Sequence, residues 1–390
     1  MKITGIRTLS LSRKHESERV WASATFVVRK ADCSIVIIET DDGGVCGIAE
    51  PSAYGTPPVI AESVSKLAPH LIGKDPADPD LLMDADGRTL ISRAEDRVDA
   101  IVIAGIDCAL WDLRAKIEGV RVCDLIGGGE PHDRIRLYAS GGVAYDWDDH
   151  PESLVEQAVQ VADEGFTAFK MRIGTEWSWS GVTAESFIDL LRKVHAAAGD
   201  RLDMMVDGNC RLTEEEALKI GRAMDEMGFY WFEEPIPAVQ IDGYARLNEA
   251  LETPVTGGEA LSTLEQIEPY LEKKAYAIVQ VDAGVSGLSE CIRVTRRAAE
   301  FGVPHCPHSW HNGLMAVYHA HMMAAMPEPR VLELNVHQGP LQWDILREKP
   351  KIEAGYLVIP DGPGYGVELA DDLEARFPFI EGSWAESVTR

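Results

Sequence analysis

The chain holds 390 residues, 45% hydrophobic and 26% charged, the balance of a soluble globular protein with room for two domains or one enlarged one. A net charge of −27 excludes nucleic acid and an anionic membrane as partners, and an acidic small molecule would need a local cationic site or a metal to receive it. No window approaches ~18 uncharged apolar residues. MKITGIRTLSLSRKHE lacks an apolar leader core, and seven scattered cysteines without a C-x-x-C fit free thiols in a reducing cytoplasm.

In the first ~130 residues, TFVVRKADCSIVIIETDDGGVCGIAE reads as strand, tight Asp-Gly-Gly turn, strand. Helical segments follow, including AIVIAGIDCALWDLRAKIEG, and together they predict a separate α+β domain over residues 1–130. From Ile135 the pattern changes to alternation. IRLYAS is β-like, and SLVEQAVQVADEG is helical. The series continues through AFKMRI, ESFIDLLRKVHAAAG, LDMMVDGN, TEEEALKIGRAMDEMG, YWFEEP, GYARLNEAL and VTGGEA. TLEQIEPYLEKK, YAIVQVD, LSECIRVTRRAAEFG, VPHCPHS, GLMAVYHAHMMAAM and RVLELN complete it. Eight strand candidates separated by helical stretches predict a parallel sheet closed as a (β/α)8-type barrel over 131–350. The tail, 351–390, contains the strand-like, turn-rich GYLVIPDGPGYGVEL and is expected to pack back on the first domain.

The ionisable residues fall at the strand ends. Lys170 and Arg172 share the second strand, two residues apart and so on one face. Asp207, Glu233 and Glu259 end the third, fourth and fifth strands at intervals of 26 and 26 residues. Asp282 ends the sixth, His308 the seventh, and Glu333 lies on the eighth. A barrel gathers its active site at that face. A lone acid there would be an ordinary cap or turn residue. Three in phase are untenable together unless protonated or shared by a metal, and hard oxygen donors favour Mg²⁺, with Mn²⁺ possible. His308 beside Asp282 can form an oriented imidazole base, against the blander reading of a packed histidine near a surface acid. His305, His308 and His311 recur every three residues. Pro304 and Pro307 disfavour a helix, so the three do not share a face as a zinc site would require.

These segments resemble the enolase superfamily, and within it the mandelate racemase subgroup (mandelate racemase/muconate lactonizing enzyme-like, acid-sugar dehydratase type). KMR is similar to the K-x-K motif of the second strand. VDGN, FEEP and GGE are similar to the three metal-ligand segments, VQVD and CPHSW to the Asp–His dyad, and VLELN to the strand whose acid hydrogen-bonds the enolate. The resemblance covers nearly the whole chain. It implies an α/β fold: a modified TIM barrel, (β/α)7β-like, with an N-terminal α+β capping domain completed by the C-terminal segment. It implies Mg²⁺ on Asp207, Glu233 and Glu259, catalysis by His308, Asp282, Lys170, Arg172 and Glu333, and an accessory place for Asn209. The implied reaction removes the proton α to a carboxylate. The implied substrate is a small sugar acid, and the assembly is expected to be a homo-oligomer between dimer and octamer.

Arg172 departs from the family motif, in which the second lysine is a base. A guanidinium stays protonated in essentially all protein settings. We therefore expect a one-base site in which His308 takes the proton and Arg172 positions a carboxylate or hydroxyl. That disfavours racemisation, which needs a group on each face; dehydration can run with one histidine and ranks first, and a lactone cycloisomerase, which could also use one base, is the alternative. A glycoside hydrolase would not need the third acid or the Lys/Arg pair. A silent binding paralogue would bind without turnover. By resemblance, HESERVWASATF and AEPSAYGTPP read the distal substrate, with Trp21 and Tyr54 as contacts. TEWSWSG brings Trp177 and Trp179 near the rim.

Overall fold

The computed structural model describes residues 1–390 except 17–19, 23–25, 53–55, 86, 144–149, 174–181, 338 and 388–390. The chain opens with β1 (Ile3–Lys14), the short β2 (Trp21–Ala22) and β3 (Phe26–Val28), then β4 (Lys30–Thr40) and β5 (Cys46–Ala49). Helices α1 (Pro57–Leu71), α2 (Arg97–Glu118) and α3 (Val122–Ile126) follow. β1, β4 and β5 form an antiparallel sheet in that order. The expected strand–turn–strand is β4–β5. β1 is an addition, because serines and threonine at alternating positions leave it a weak apolar period. α2 starts where the Asp96 side chain accepts from Asp99 N and stops at left-handed Gly119. It packs onto β5 so closely that a Cβ on Gly47 would sit 2.1 Å from Ala109 O.

The barrel runs β6 (Arg134–Ser140), α4 (Ser153–Asp163), β7 (Ala168–Arg172), α5 (Ala184–Ala198), β8 (Asp203–Asp207), α6 (Glu214–Met227) and β9 (Trp231–Glu233). It continues α7 (Ile241–Ala250), β10 (Val255–Gly257), α8 (Leu264–Glu272), β11 (Ile278–Val279), α9 (Ala283–Glu300), α10 (Gly313–Ala324) and β12 (Leu332–Asn335). β6 through β11 pair in parallel, and β12 returns to pair with β6. Threonine caps start several helices: Thr213 accepts from Glu216 N, and Thr263 from Gln266 N. The predicted seventh strand, VPHCPHS, is reduced to a single bridge between Val279 and His305. Pro304 and Pro307 remove the backbone donors a longer ladder would need.

Inward positions alternate along each strand and form layers. Tyr138, Ala168, Met205, Trp231, Ile278, Cys306 and Val331 make one buried apolar cluster. Two residues on along the same strands stand Lys170, Asp207, Glu233 and Glu333. The apolar layer is the dry floor on which the polar layer rests.

Beyond β12, the hairpin of β13 (Ile352–Glu353) and β14 (Tyr356–Val358) pairs antiparallel with the first half of β6, so the sheet is mixed rather than wholly parallel. The chain then runs along α2, where Tyr365 N donates to Asp112 Oδ1 and its hydroxyl donates to Cys108 O. α11 (Leu373–Arg376) and β15 (Ala385–Ser387) end it, and β15 pairs antiparallel with β3 in a small second sheet, β15–β3–β2. The seven cysteines are free thiols. Among the described residues no helix is long and apolar enough to cross a membrane.

Because Gly47 admits α2 to within backbone contact of β5, Gly47→Ala is expected to cost about 1–3 kcal/mol through overpacking. Urea unfolding midpoints of the two proteins measure it.

Candidate active site

Lys170 and Arg172 do project to one side of β7, but each meets its own acid. Lys170 Nζ donates to Glu233 Oε1 at 2.5 Å and lies 3.0 Å from Glu333 Oε1, an ion-pair contact off the hydrogen-bonding direction. It also sits 5.5 Å over the Tyr138 ring. Burial alone would lower its pKa, yet Glu233 and Glu333 outweigh burial and hold it well above the usual lysine range. Arg172 Nε donates to Asp207 Oδ2 at 3.0 Å. The strand that sequence reasoning found crowded is therefore a pair of cations in an acidic layer.

Glu233 is 1% exposed. Its second oxygen accepts from Gln280 Nε2 at 2.7 Å and Trp231 Nε1 at 3.1 Å. Burial pushes it up to about 7, with the Lys170 ammonium opposing and the carboxylates of Asp207, Glu333 and Glu259 adding to the rise. Gln280 escaped the sequence reading. It lies between Ile278 and Asp282 at the inward period, which was the available signal. Asp207 Oδ1 accepts from Asn209 N at 2.7 Å, while the Asn209 side chain accepts from Arg211 Nη2 at 3.1 Å. Asn209 thus braces Asp207 through its backbone, in the left-handed region at φ 48°. Glu259 lies two residues past β10, with Oε2 3.4 Å from His308 Nε2.

The dyad forms. Asp282, three residues past β11, caps α9 by accepting from Gly284 N at 2.7 Å. Its Oδ2 accepts from His308 Nδ1 at 2.8 Å and lies 3.2 Å from His311 Nε2. Burial opposes ionisation of Asp282, but the bonds from His308 and His311 hold it well below the usual carboxylate range. With Nδ1 bound to Asp282, His308 turns Nε2 toward Glu259. Burial would lower His308, but the charges of Glu259 and Glu333, with the Asp282 bond, lift it to about 10. His305 turns away to Val281 O and Thr295, and burial lowers it to about 4. Glu333 Oε2 accepts from Ser309 N at 2.6 Å. Against the effect of burial, Lys170 and His308 bring it down to about 2.

Asp207, Glu233 and Glu259 stand on neighbouring strand ends, with Asp207 and Glu233 in register. Their oxygens do not form one tight cluster, since each acid is held by its own partner. Among the described residues, the ligand-type group that does converge within 4.8 Å is Asp282, His308 and His311. There the close approach is accounted for by hydrogen bonds between carboxylate and imidazoles. The three acids offer hard oxygen donors, and Glu233 is raised first by burial and further by the neighbouring carboxylates of Asp207, Glu333 and Glu259. Both features fit a divalent cation. A small cavity bounded by Ser140, Lys170, Arg172, Asp207 and Trp310 opens at this end. A wider cleft of about 820 Å³, between β4–β5 and residues 362–369, contains none of these groups. Trp21 is buried within reach of Arg172. Tyr54, Trp177 and Trp179 lie outside the described residues.

The chain matches two family descriptions: "Mandelate racemase / muconate lactonizing enzyme, N-terminal domain" over residues 10–127 and "Enolase C-terminal domain-like" over 153–373. It is 31% identical to an arabinonate dehydratase of Saccharolobus solfataricus, over 86% of this chain and 88% of that one. It is also 31% identical to a D-galactarolactone cycloisomerase of Agrobacterium fabrum, over 97% and 99%. Among solved structures, the 3,6-anhydro-D-galactonate cycloisomerase of Zobellia galactanivorans superposes with a TM-score of 0.83 at 27% identity, covering 97% of this chain and 99% of that one.

Behind the dyad lies a further buried acid that the sequence did not single out. Glu50 accepts from Asn312 Nδ2 at 2.6 Å, at the N-cap of α10, close to His311. Burial lifts it from 4.5 to about 7, with His311 and Asn312 opposing. A carboxyl whose folded pKa exceeds its unfolded one binds its proton more tightly when folded, so its contribution to stability falls as pH rises between the two. Glu50→Gln should therefore gain on the wild type by up to about 3 kcal/mol as pH rises from about 4.5 through 7, with no gain below. Urea midpoints at the two ends of that window check it.

Proposed function

The chain belongs to the mandelate racemase/muconate lactonizing enzyme family of the enolase superfamily, and from that premise we propose that it is a hydro-lyase that dehydrates a sugar acid to a 2-keto-3-deoxy acid. Residues 1–130 with the tail 351–390 serve as cap, and 131–350 carry the chemistry. The observation that carries the reading is the dyad: Asp282 holds His308 by Nδ1, so Nε2 is the ring nitrogen turned into the site, whereas the Arg172 guanidinium keeps its proton and pairs with Asp207.

Asp207, Glu233 and Glu259 would hold Mg²⁺, or Mn²⁺ in its place, and the bound ion supplies Lewis-acid polarisation of the substrate carboxylate. Lys170 offsets the negative charge that grows on that carboxylate as the α C–H bond breaks. The charge of Glu259 is the largest influence holding His308 protonated; with Glu259 engaged by the divalent ion that hold weakens, and the neutral His308 Nε2 would take the α proton. The resulting imidazolium then delivers it to the β-hydroxyl, the C–O bond breaks, and water departs, leaving an enol that loses its hydroxyl proton and gains one at the β carbon from solvent to become the 2-keto-3-deoxy acid. Arg172 holds a carboxylate or hydroxyl on the opposite side. The family resemblance gives Glu333 a hydrogen bond to the enolate. Its ionised state and its Ser309 bond suit it instead to holding Lys170 in place.

Racemisation lacks its second base. A lactone cycloisomerase is the second reading, since one base suffices for it and the near full-length likeness to the Agrobacterium enzyme supports it. A Mg²⁺-supplemented panel of mono- and diacid sugars, read for 2-keto product beside a lactone panel, separates the two. Dehydration gives 2-keto acid from the acids and none from the lactones alone, and chelation of the divalent ion abolishes it. His308→Asn is expected to lose about 10²- to 10⁴-fold in kcat and all solvent-deuterium exchange at the α carbon. Retained exchange would return the proton to Arg172.

A further inference from the structure

The C-terminal residues are bound to the segment after β1 at several independent points. β15 pairs with β3 through Ala385 and Val28, Glu386 and Val27, and Ser387 and Phe26. Arg29 Nε donates to Glu386 Oε2 at 3.1 Å. Buried Lys30 donates to Ile380 O at 2.6 Å and Gly382 O at 2.8 Å, and lies 4.8 Å over the Phe379 ring. The Trp384 ring is 6.5 Å from Trp21, and Trp21 meets Trp310 edge-on at 6.0 Å. The Arg172 guanidinium carbon is 5.8 Å from the ring centres of both Trp21 and Trp310.

These contacts form one chain of support. Among the described residues β2 and β3 pair through Trp21 with Val28 and Ala22 with Val27. A two-stranded ribbon that short is not stable alone. β15 adds the third strand, and Trp384 joins the apolar cluster of Trp21, Val28, Val143, Trp310 and Ala385. Two indoles then lie within cation–π distance of one guanidinium.

We infer that β15 is a strap holding the β2–β3 ribbon over the barrel mouth, and that Trp384 is a positioning residue acting through Trp21 on Arg172. The consequence for turnover rests on the proposed role of Arg172 as a substrate-holding cation. The strap itself is judged without turnover.

The test compares wild type, Trp384→Ala, Trp384→Phe and a chain ending at Gly382. Phenylglyoxal labelling of each arginine is followed by mass spectrometry, amide exchange is measured over residues 26–28, and thermal midpoints are recorded. Loss of the indole or of the strap should raise labelling of Arg172 several-fold and speed exchange in β3. Labelling of arginines elsewhere and the midpoint should barely move, and Trp384→Phe should restore the wild-type pattern. Unchanged Arg172 labelling overturns the inference. A general rise in arginine labelling with a fallen midpoint also overturns it, because the tail would then be serving stability alone. On a sugar acid that the wild type turns over, Trp384→Ala should raise KM about tenfold, the size of one lost aromatic contact, with a smaller change in kcat. Raised labelling with unchanged KM overturns the link to the substrate. Absence of any turnover by wild type, with raised labelling in the variant, supports the strap and sinks the proposed reaction.

Discussion

Five carboxylates, Asp207, Glu233, Glu259, Asp282 and Glu333, crowd one end of this barrel, and four of them are almost wholly buried. Buried like charges survive only where each finds a compensating partner. Lys170 is the partner on which most depends, since it stands between Glu233 and Glu333. Without it those two acids would face each other across a low-dielectric interior. The remaining charges are met separately: Arg172 on Asp207, His308 and His311 on Asp282, and the backbone of Ser309 on Glu333.

The barrel makes this crowding constructible. Alternation along parallel strands sends every second side chain inward. One inward layer is an apolar floor, and the next is the charged layer. Helix and strand then share duties at the seam. Asp282 caps α9 with one oxygen and bonds His308 Nδ1 with the other, so the start of a helix fixes the orientation of that imidazole. Glu50 brings the first domain into the same network through Asn312, which starts α10.

Arg172 links the chemistry to the cover. Its Nε is committed to Asp207, and its guanidinium carbon lies 5.8 Å from the ring centres of Trp21 and Trp310. A permanent cation at this place bonds Asp207 and meets the indoles of Trp21 and Trp310 with one side chain.

The sequence by itself determined the repeated β/α unit, the inward acids at equal intervals and the meeting of Asp282 with His308. Each of these is written in local periodicity and residue chemistry, which survive without knowledge of distant contacts. Other features were not legible. Pro304 and Pro307 were visible, but the reduction of the seventh strand to one bridge depended on what its neighbours could still pair with. Gln280 carried the right period but no charge to draw notice. His311 joins Asp282, Glu50 reaches Asn312, and Trp384 reaches Trp21 across separations of 29, 262 and more than 360 residues. Only the tertiary structure decided these, because burial and partner geometry fix which of several chemically able side chains meet, and no local pattern encodes a meeting between opposite ends of a chain.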